Sequence, residues 1–302
     1  MLKRNPLREI LLRENAFIPG RLRRAISDVA FRRLDRKLQQ DPGTSFQPQV
    51  PPLEMIFPLP DGIVPRSQTL LFAAGDLHYL QRFAYSLAKS VAAHAPDMPI
   101  HLHQIGGARP SLGSGMTILQ ELRQKYPDLQ LSWSWEAALV EEMDAFERGR
   151  YCQTIRFFRI AEIMSAWAGN VLAVDIDSIL RRSPAEVLAS LSRKADVAFH
   201  QRPNDPCEGR RVLAGCVWFG NCDSARKLLA DASRQMLLHV QHGFFTEKLD
   251  QRCLYLTARN MTETLRIANF PAGFFGWNED DDPTIFTAKG ARKKVLNTKI
   301  EP

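Results

Sequence analysis

The sequence predicts an α/β fold, with a mostly parallel central sheet flanked by helices and a basic helical arm ahead of it. Three observations predict it. From residue 69 onward, short apolar runs alternate with stretches of helical period. The run Val171-Leu172-Ala173-Val174 is apolar on both faces, as a strand covered by helices on both sides must be, and it leads straight into Asp175-Ile176-Asp177. The net charge of +7 is confined to the first forty residues, which hold eleven basic and four acidic groups, whereas the rest hold 29 of each.

That distribution excludes a basic nucleic-acid-binding body, and the arm has no interleaved aromatics to stack on bases. With 302 residues and 45% apolar composition, the chain can bury a large core. It has no run of about 18 apolar residues. The start, Met1-Leu2-Lys3-Arg4, lacks the apolar block of a secretory leader, so a cytoplasmic location is expected. Five cysteines without C-x-x-C spacing suggest reduced thiols rather than a disulfide framework or zinc knuckle.

In chain order, residues 1–40 read as a basic arm of two amphipathic helices. Leu7, Ile10 and Leu11 line the first, Leu22, Ala25, Ile26, Val29 and Ala30 the second, and Pro19-Gly20 separates them. Packing on the main domain or a partner is the first reading, and a peripheral contact with anionic lipid at the inner membrane face is the sharper one. Residues 41–66, with Pro42, Pro48, Pro51, Pro52, Pro58, Pro60 and Pro65, read as a linker to a catalytic domain over 67–302.

Within that domain, Thr69–Ala74 predicts a buried strand ended by Gly75. Leu80, Phe83, Ala84, Leu87, Ala88, Val91, Ala92 and Ala95 predict a helix stopped by Pro96. Strands at 100–105 and 129–135 flank a helix at 116–126. A helix over 154–168 precedes the 170–174 strand. Strands at 196–201 and 211–219 come next, then a helix from 224 to about 241.

The acidic pair invites a chemical reading. Asp175 and Asp177, one residue apart beyond a buried strand, repel one another unless a hard divalent cation, Mn²⁺ or Mg²⁺, neutralises them together with substrate phosphates. The bland alternative is that Asp177 caps a helix beginning near Ser183. Open α/β sheets bind ligands beyond the carboxyl ends of their strands, where this pair falls.

These pieces resemble, in their order over about residues 69–293, the GT-A glycosyltransferases of the family 8 type and related bacterial sugar transferases. Ala74-Gly75-Asp76-Leu77-His78-Tyr79 is similar to the family's nucleotide segment, which implies that Asp76 accepts the uracil N–H and Tyr79 stacks on the base. The plainer reading is an N-cap for Asp76 and a packing role for Tyr79. Arg156 matches the arginine before the D-x-D strand, a cation suited to the donor's diphosphate and sugar. Arg159, three residues on, reads as a solvated or ion-paired surface group.

Gly215, in Leu213-Ala214-Gly215-Cys216, looks like the glycine that lets the donor sugar approach the backbone, or else a bulge. Asp250-Gln251 resembles the family's D-Q segment at the sugar and acceptor pocket. Where the family has a metal-ligating histidine three residues before a glycine, this chain has Thr287 before Gly290, which weakens the metal site. Lys289, Arg292 and Lys293 are then implied to stabilise the departing diphosphate.

The resemblance thus implies transfer of a hexose from a UDP-linked or similar donor to a glycan, lipid-linked or protein acceptor, with retention at the anomeric carbon. It makes Asp250, Gln251 and Lys289 the candidate catalytic residues, and Ala74, Asp76, Tyr79, Arg156, Gly215, Lys289 and Arg292 the donor-binding ones. Asp175 and Asp177 are the metal ligands. Two alternatives stand beside it: a pseudo-transferase that binds nucleotide-sugar or serves as a partner subunit, and a haloacid-dehalogenase-type phosphotransferase using Asp175 with the Asp280-Asp281-Asp282 cluster. His101 and His103 read as packing, and Trp133 and Trp135 as core.

Overall fold

A strand places successive side chains on opposite faces and a helix lines one face every three or four residues, and both rules sort this chain into two cores. The computed structural model describes residues 50–60, 68–110, 114–138, 140–241, 248–278 and 280–289. The predicted arm over 1–40, Gly290, Arg292 and Lys293 lie outside the described residues.

The described chain runs β1 (Glu54–Phe57), β2 (Thr69–Asp76), α1 (Leu77–His94), β3 (Ile100–Ile105), α2 (Ser114–Lys125) and β4 (Leu131–Glu136). It continues with α3 (Ala145–Ala166), β5 (Asn170–Asp175), β6 (Ser178–Leu180), α4 (Ala185–Lys194), β7 (Val197–Gln201) and β8 (Val212–Phe219). Helices α5 (Asp223–Gln241) and α6 (Leu249–Asn260) and strands β9 (Ile267–Asn269), β10 (Phe275–Gly276) and β11 (Ile285–Thr287) complete it. The main sheet has the order β1-β4-β3-β2-β5-β8-β7-β9, and β10, β11 and β6 form a small second sheet. Strands β4, β3, β2 and β5 are mutually parallel, as are β7 and β9, while β1 and β8 run against their neighbours. The predicted mostly parallel sheet is therefore present.

Alternation divides the core. Leu70 and Phe72 of β2, with Val171 and Ala173 of β5, pack on the face covered by α3, α5 and α6. Leu71, Ala73, Leu172 and Val174 pack on the face covered by α1, α2, α4 and the small sheet. The chain steps outward from β2 through β3 to β4, then returns on the other side of β2 to form β5. The carboxyl ends of β2 and β5 thus flank the point where strand order reverses, the place such sheets bind ligands.

Several boundaries differ from the sequence expectation. The strand predicted to stop at Gly75 continues to Asp76. Helix α3 starts at Ala145 rather than 154, because Asp144 and Glu147 form a reciprocal capping box that fixes an earlier start. Within the predicted linker, Glu54–Phe57 forms β1 on the sheet edge, antiparallel to β4. Asp177 does not cap α4, whose N-cap is Pro184. No helix among the described residues is long and apolar enough to cross a membrane. All five cysteines are free thiols, with Cys216 and Cys253 buried.

Strands β3 and β4 carry a polar seam inside the core. His101 lies between the hydroxyls of Ser132 and Ser134, at 2.8 and 2.7 Å, and His103 Nδ1 meets Ser134 at 2.8 Å. Arg159 is fully buried, not a surface group as expected: its Nε donates to Glu136 at 2.5 Å and its Nη2 to the Pro51 carbonyl at 2.5 Å. Tyr151 donates to the other Glu136 oxygen at 3.0 Å. Burial works against the Glu136 charge, but Arg159 and His103 outweigh it and hold the carboxyl below its ordinary pKa.

Burial, reinforced by neighbouring His103, pushes His101 down to about 3, and burial lowers His103 as well. Unfolding therefore takes up protons below about pH 6.5, the ordinary histidine value. Stability is fully present above that pH and is lost as pH falls toward 3, by up to about 1.4 kcal/mol per pH unit for each histidine. Urea midpoints at pH 8 and pH 5 should differ in that direction, and His101→Gln should flatten the dependence. Equal slopes for the variant and the parent protein would remove His101 from this account.

Candidate functional site

The site grows from register. Ala74 of β2 pairs with Asp175 at the end of β5, so the nucleotide-like segment and the first acid of D-x-D lie side by side at the reversal point. Beside them is a cleft of about 350 Å³ lined by Arg150, Gln153, Arg156, Asp175, Leu213, Gly215, Lys248, Asp250, Gln251, Trp277 and Lys289. Six of those residues are among the predicted site residues.

Arg156 organises the cleft floor. It projects from α3 with little exposure, donates through Nη1 to Asp175 and through Nη2 to Asp250 at 3.2 Å, and reaches the Ala214 carbonyl at 2.9 Å. Burial opposes its charge, yet the two carboxylates outweigh that and raise its pKa. Asp250 is buried at the start of α6, and burial raises its pKa against the pull of Arg156. A planar fork that bridges two acids and a carbonyl suits arginine and no other cation.

Gly215 lies where β8 bulges away from β7: Phe199 pairs with Val217 and the next residue, His200, pairs with Leu213. A Cβ at 215 would sit 2.9 Å from Asp175 Oδ2 and 3.2 Å from the Phe275 ring. The bulge reading of this glycine holds, and the missing side chain also gives Asp175 its space. Gln251 lines the cleft, and its amide, oriented to donate, reaches the Gly209 and Val212 carbonyls at 3.0 Å each.

Asp177 is buried and does not line the cleft, unlike Asp175. Its carbonyl accepts the Ala288 N–H at 3.2 Å, which anchors the segment carrying Lys289 to the acidic turn. Lys289 Nζ lies 3.6 Å from the centre of the Trp277 ring, and Arg202 approaches the same ring at 5.2 Å. Desolvation lowers the Lys289 pKa, Lys248 and Arg202 add to the lowering, and Asp175 and Asp177 oppose it. Thr287, at the place of the expected histidine, shares a 2.6 Å hydrogen bond with the Ser178 hydroxyl, and both residues are buried.

The donor set does not make a closed metal cage. One Asp175 oxygen is held by Arg156, the Thr287 hydroxyl is engaged by Ser178, and no cluster of three His, Cys, Asp or Glu side chains suited to a metal occurs among the described residues.

Asp76 and Tyr79 lie along the same sheet edge but outside the cleft lining. Asp76 caps α1 by accepting the Tyr79 N–H at 2.9 Å, as the plainer reading had it, while its other oxygen lies 3.8 Å from Arg148. Tyr79 keeps 37% of its surface exposed and packs against Phe83. Asp282 pairs with Arg181 and Arg182, and none of Asp280, Asp281 and Asp282 lines the cleft that Asp175 lines, so the structure does not join the acidic cluster of the phosphotransferase alternative to that cleft.

Sequence reasoning missed Arg150, Gln153, Leu213, Lys248 and Trp277. Arg150 and Gln153 fall at three-residue steps before Arg156 on one helix face, and Arg150 donates to Gln153 at 2.6 Å. Lys248 takes a left-handed conformation with φ 59°, costly for a residue with a side chain. Nothing in its sequence surroundings announces that.

No protein-family model matches the sequence, and no curated protein does. Among solved structures, the chain is similar to the galactosyltransferase LgtC, solved with donor and acceptor sugar analogs, with a TM-score of 0.53 and 13% identity. The match covers 78% of this chain and 97% of that one. The bifunctional glycosyltransferase WbbM gives a TM-score of 0.50 at 12% identity, over 77% of this chain and 47% of that chain. For the glycosyltransferase GlyE of Streptococcus pneumoniae TIGR4 the TM-score is 0.49 at 15% identity, and the match spans 76% of this chain but only 59% of GlyE.

Proposed function

We propose that this chain, whose fold is that of the GT-A glycosyltransferases, transfers a hexose from a nucleoside-diphosphate donor, UDP-linked in the first instance, to an acceptor hydroxyl. One observation carries the reading. The cleft at the reversal point is lined by four cationic side chains, Arg150, Arg156, Lys248 and Lys289, against two carboxylates, Asp175 and Asp250. That excess matches a diphosphate, and a diphosphate gains charge as it leaves.

In this reading the acceptor oxygen bonds to the anomeric carbon while the bond from that carbon to the β-phosphate oxygen breaks. The electron pair goes to the phosphate, and the acceptor proton follows it. Lys289 and Arg150 face the leaving group, and Asp250, oriented by Arg156, receives sugar hydroxyls. For a retaining outcome the same net transfer runs as two displacements, in which Asp250 bonds to the anomeric carbon as the phosphate leaves and the acceptor oxygen then displaces Asp250, and proton NMR of the first-formed product checks this. Gln251 holds the 209–212 backbone at the acceptor side, and the backbone at Gly215 admits the sugar ring. Asp76 and Tyr79 would take the base, and Ala74 would leave room beside it.

Mn²⁺ or Mg²⁺ would find Asp175 and Asp177 as its protein contacts and would supply charge to the phosphates. Because the described residues offer no closed set of ligands there, each step above is assigned to the chain's own side chains. A glycan, lipid-linked or protein acceptor fits this chemistry. We assign the protein to the cytoplasm, with residues 1–40 as a peripheral contact to a membrane face or partner, residues 41–66 as the segment that joins them to the catalytic body, and no nucleic-acid role.

Release of UDP from a panel of UDP-hexoses tests the reading, together with calorimetric titration of UDP against uridine. UDP should bind and uridine should bind far more weakly. Gly215→Val, whose side chain would push into Asp175, Phe275 and the sugar space, should lose turnover and also lower the melting temperature, and UDP-release assays on the folded protein separate the two effects. Failure of UDP and GDP to bind, with or without Mn²⁺, would remove the transferase reading. Binding without any turnover would favour the pseudo-transferase.

A further inference from the structure

We infer that the donor site is complete without a divalent ion: Lys289, seated on Trp277 and anchored at the acidic turn, supplies with Arg150 and Lys248 the charge that a metal would bring. The inference rests on the donor reading above and adds how that site handles the diphosphate.

Three independent observations lead to it. The first is the state of the ligand positions. The hydroxyl of Thr287, where a third ligand would stand, is spent on Ser178 at 2.6 Å inside the protein, and Asp175 already serves Arg156. Threonine is a poor ligand for a divalent ion, and one committed to a buried hydroxyl pair is poorer still.

The second is the placement of Lys289. The Ala288 N–H bonds the Asp177 carbonyl at 3.2 Å, so the next residue leaves directly from the acidic turn. The ammonium then rests 3.6 Å from the Trp277 ring centre, and both residues line the cleft. A ring face holds a cation in place while leaving its outer hydrogens able to donate. Burial lowers the Lys289 pKa overall, while the charges of Asp175 and Asp177 work the other way and favour the ammonium.

The third is the charge balance. The cleft lining carries two more positive than negative side chains, close to the charge of a nucleoside diphosphate. A divalent ion added to that lining would overshoot the ligand it is meant to neutralise.

The test is calorimetric titration of UDP into the full chain after EDTA treatment and again in Mn²⁺. Affinities within about threefold of each other, less than about 0.7 kcal/mol, are expected. In EDTA, Lys289→Met should weaken UDP at least about tenfold, and Lys289→Arg should recover most of it. Melting curves confirm that each variant is folded. Binding that appears only with Mn²⁺ would overturn the inference and leave the donor reading standing. Unchanged affinity in Lys289→Met would overturn it too, and absence of UDP binding under both conditions would take the donor reading down with it.

Discussion

Arg156→Met is expected to lose both donor turnover and a large part of the fold's stability. The change leaves Asp250 buried and Asp175 beside it with no guanidinium between them, and removing one partner from such a network costs about 3–5 kcal/mol. The Ala214 carbonyl loses its donor as well, which loosens the strand just before Gly215. In folded protein, kcat/KM should fall by about a hundredfold or more, the scale of losing one well-placed charged donor. Arg156→Lys should regain part of the stability but little of the turnover, because a single ammonium cannot bridge two carboxylates and a carbonyl. Urea midpoints and UDP-release rates on the two variants check this, and a lysine variant with parental turnover would show that the fork geometry does not matter.

Arg159→Met should be equally damaging to stability and harmless to donor binding. It strips the fully buried Glu136 of its nearest charged partner, again at about 3–5 kcal/mol, and cuts the tie from α3 to the Pro51 carbonyl. Adding Glu136→Gln removes the stranded charge and should return part of the loss, so the pair should show strong coupling in a double-mutant cycle. UDP titration of the folded fraction should match the parent. Two arginines three residues apart on one helix would then separate cleanly into a donor-site group and a core group.

The contrast between those arginines shows where the sequence was legible. Strands β2 and β5 were plain because a four- to six-residue apolar run between turn signals has few other uses, and the D-x-D placement followed from their ends. The identity of Arg156 came from a resemblance, but the burial of Arg159 did not, because its partner Glu136 lies on the face of β4 that carries Ser132 and Ser134, which alternation assigns to solvent but which is buried. Strands β3 and β4 hide their polar residues inside, so the usual rule of polar outside misled there. Helix α3 began nine residues early because Asp144 and Glu147 make a cap that side-chain hydropathy does not register. Strand β1 was masked by the prolines that flank it, Pro51, Pro52 and Pro58. Within the cleft, Trp277 and Lys248 come from irregular segments whose course only the tertiary packing decides, and a left-handed lysine has no periodic trace.

The reversed direction of β8 has a consequence for how such a site could be re-specified. Because β8 runs against β5, the connection that reaches the substrate end of the sheet is the one before it, residues 202–211, rather than the one after. That connection, tied to α6 by Gln251, can change length without cutting a ladder between β5 and its neighbours. Under the proposed function, loop exchange across 202–211 is thus the route by which a new acceptor preference could be grafted on while the cleft floor of Asp175, Arg156 and Asp250 stays untouched.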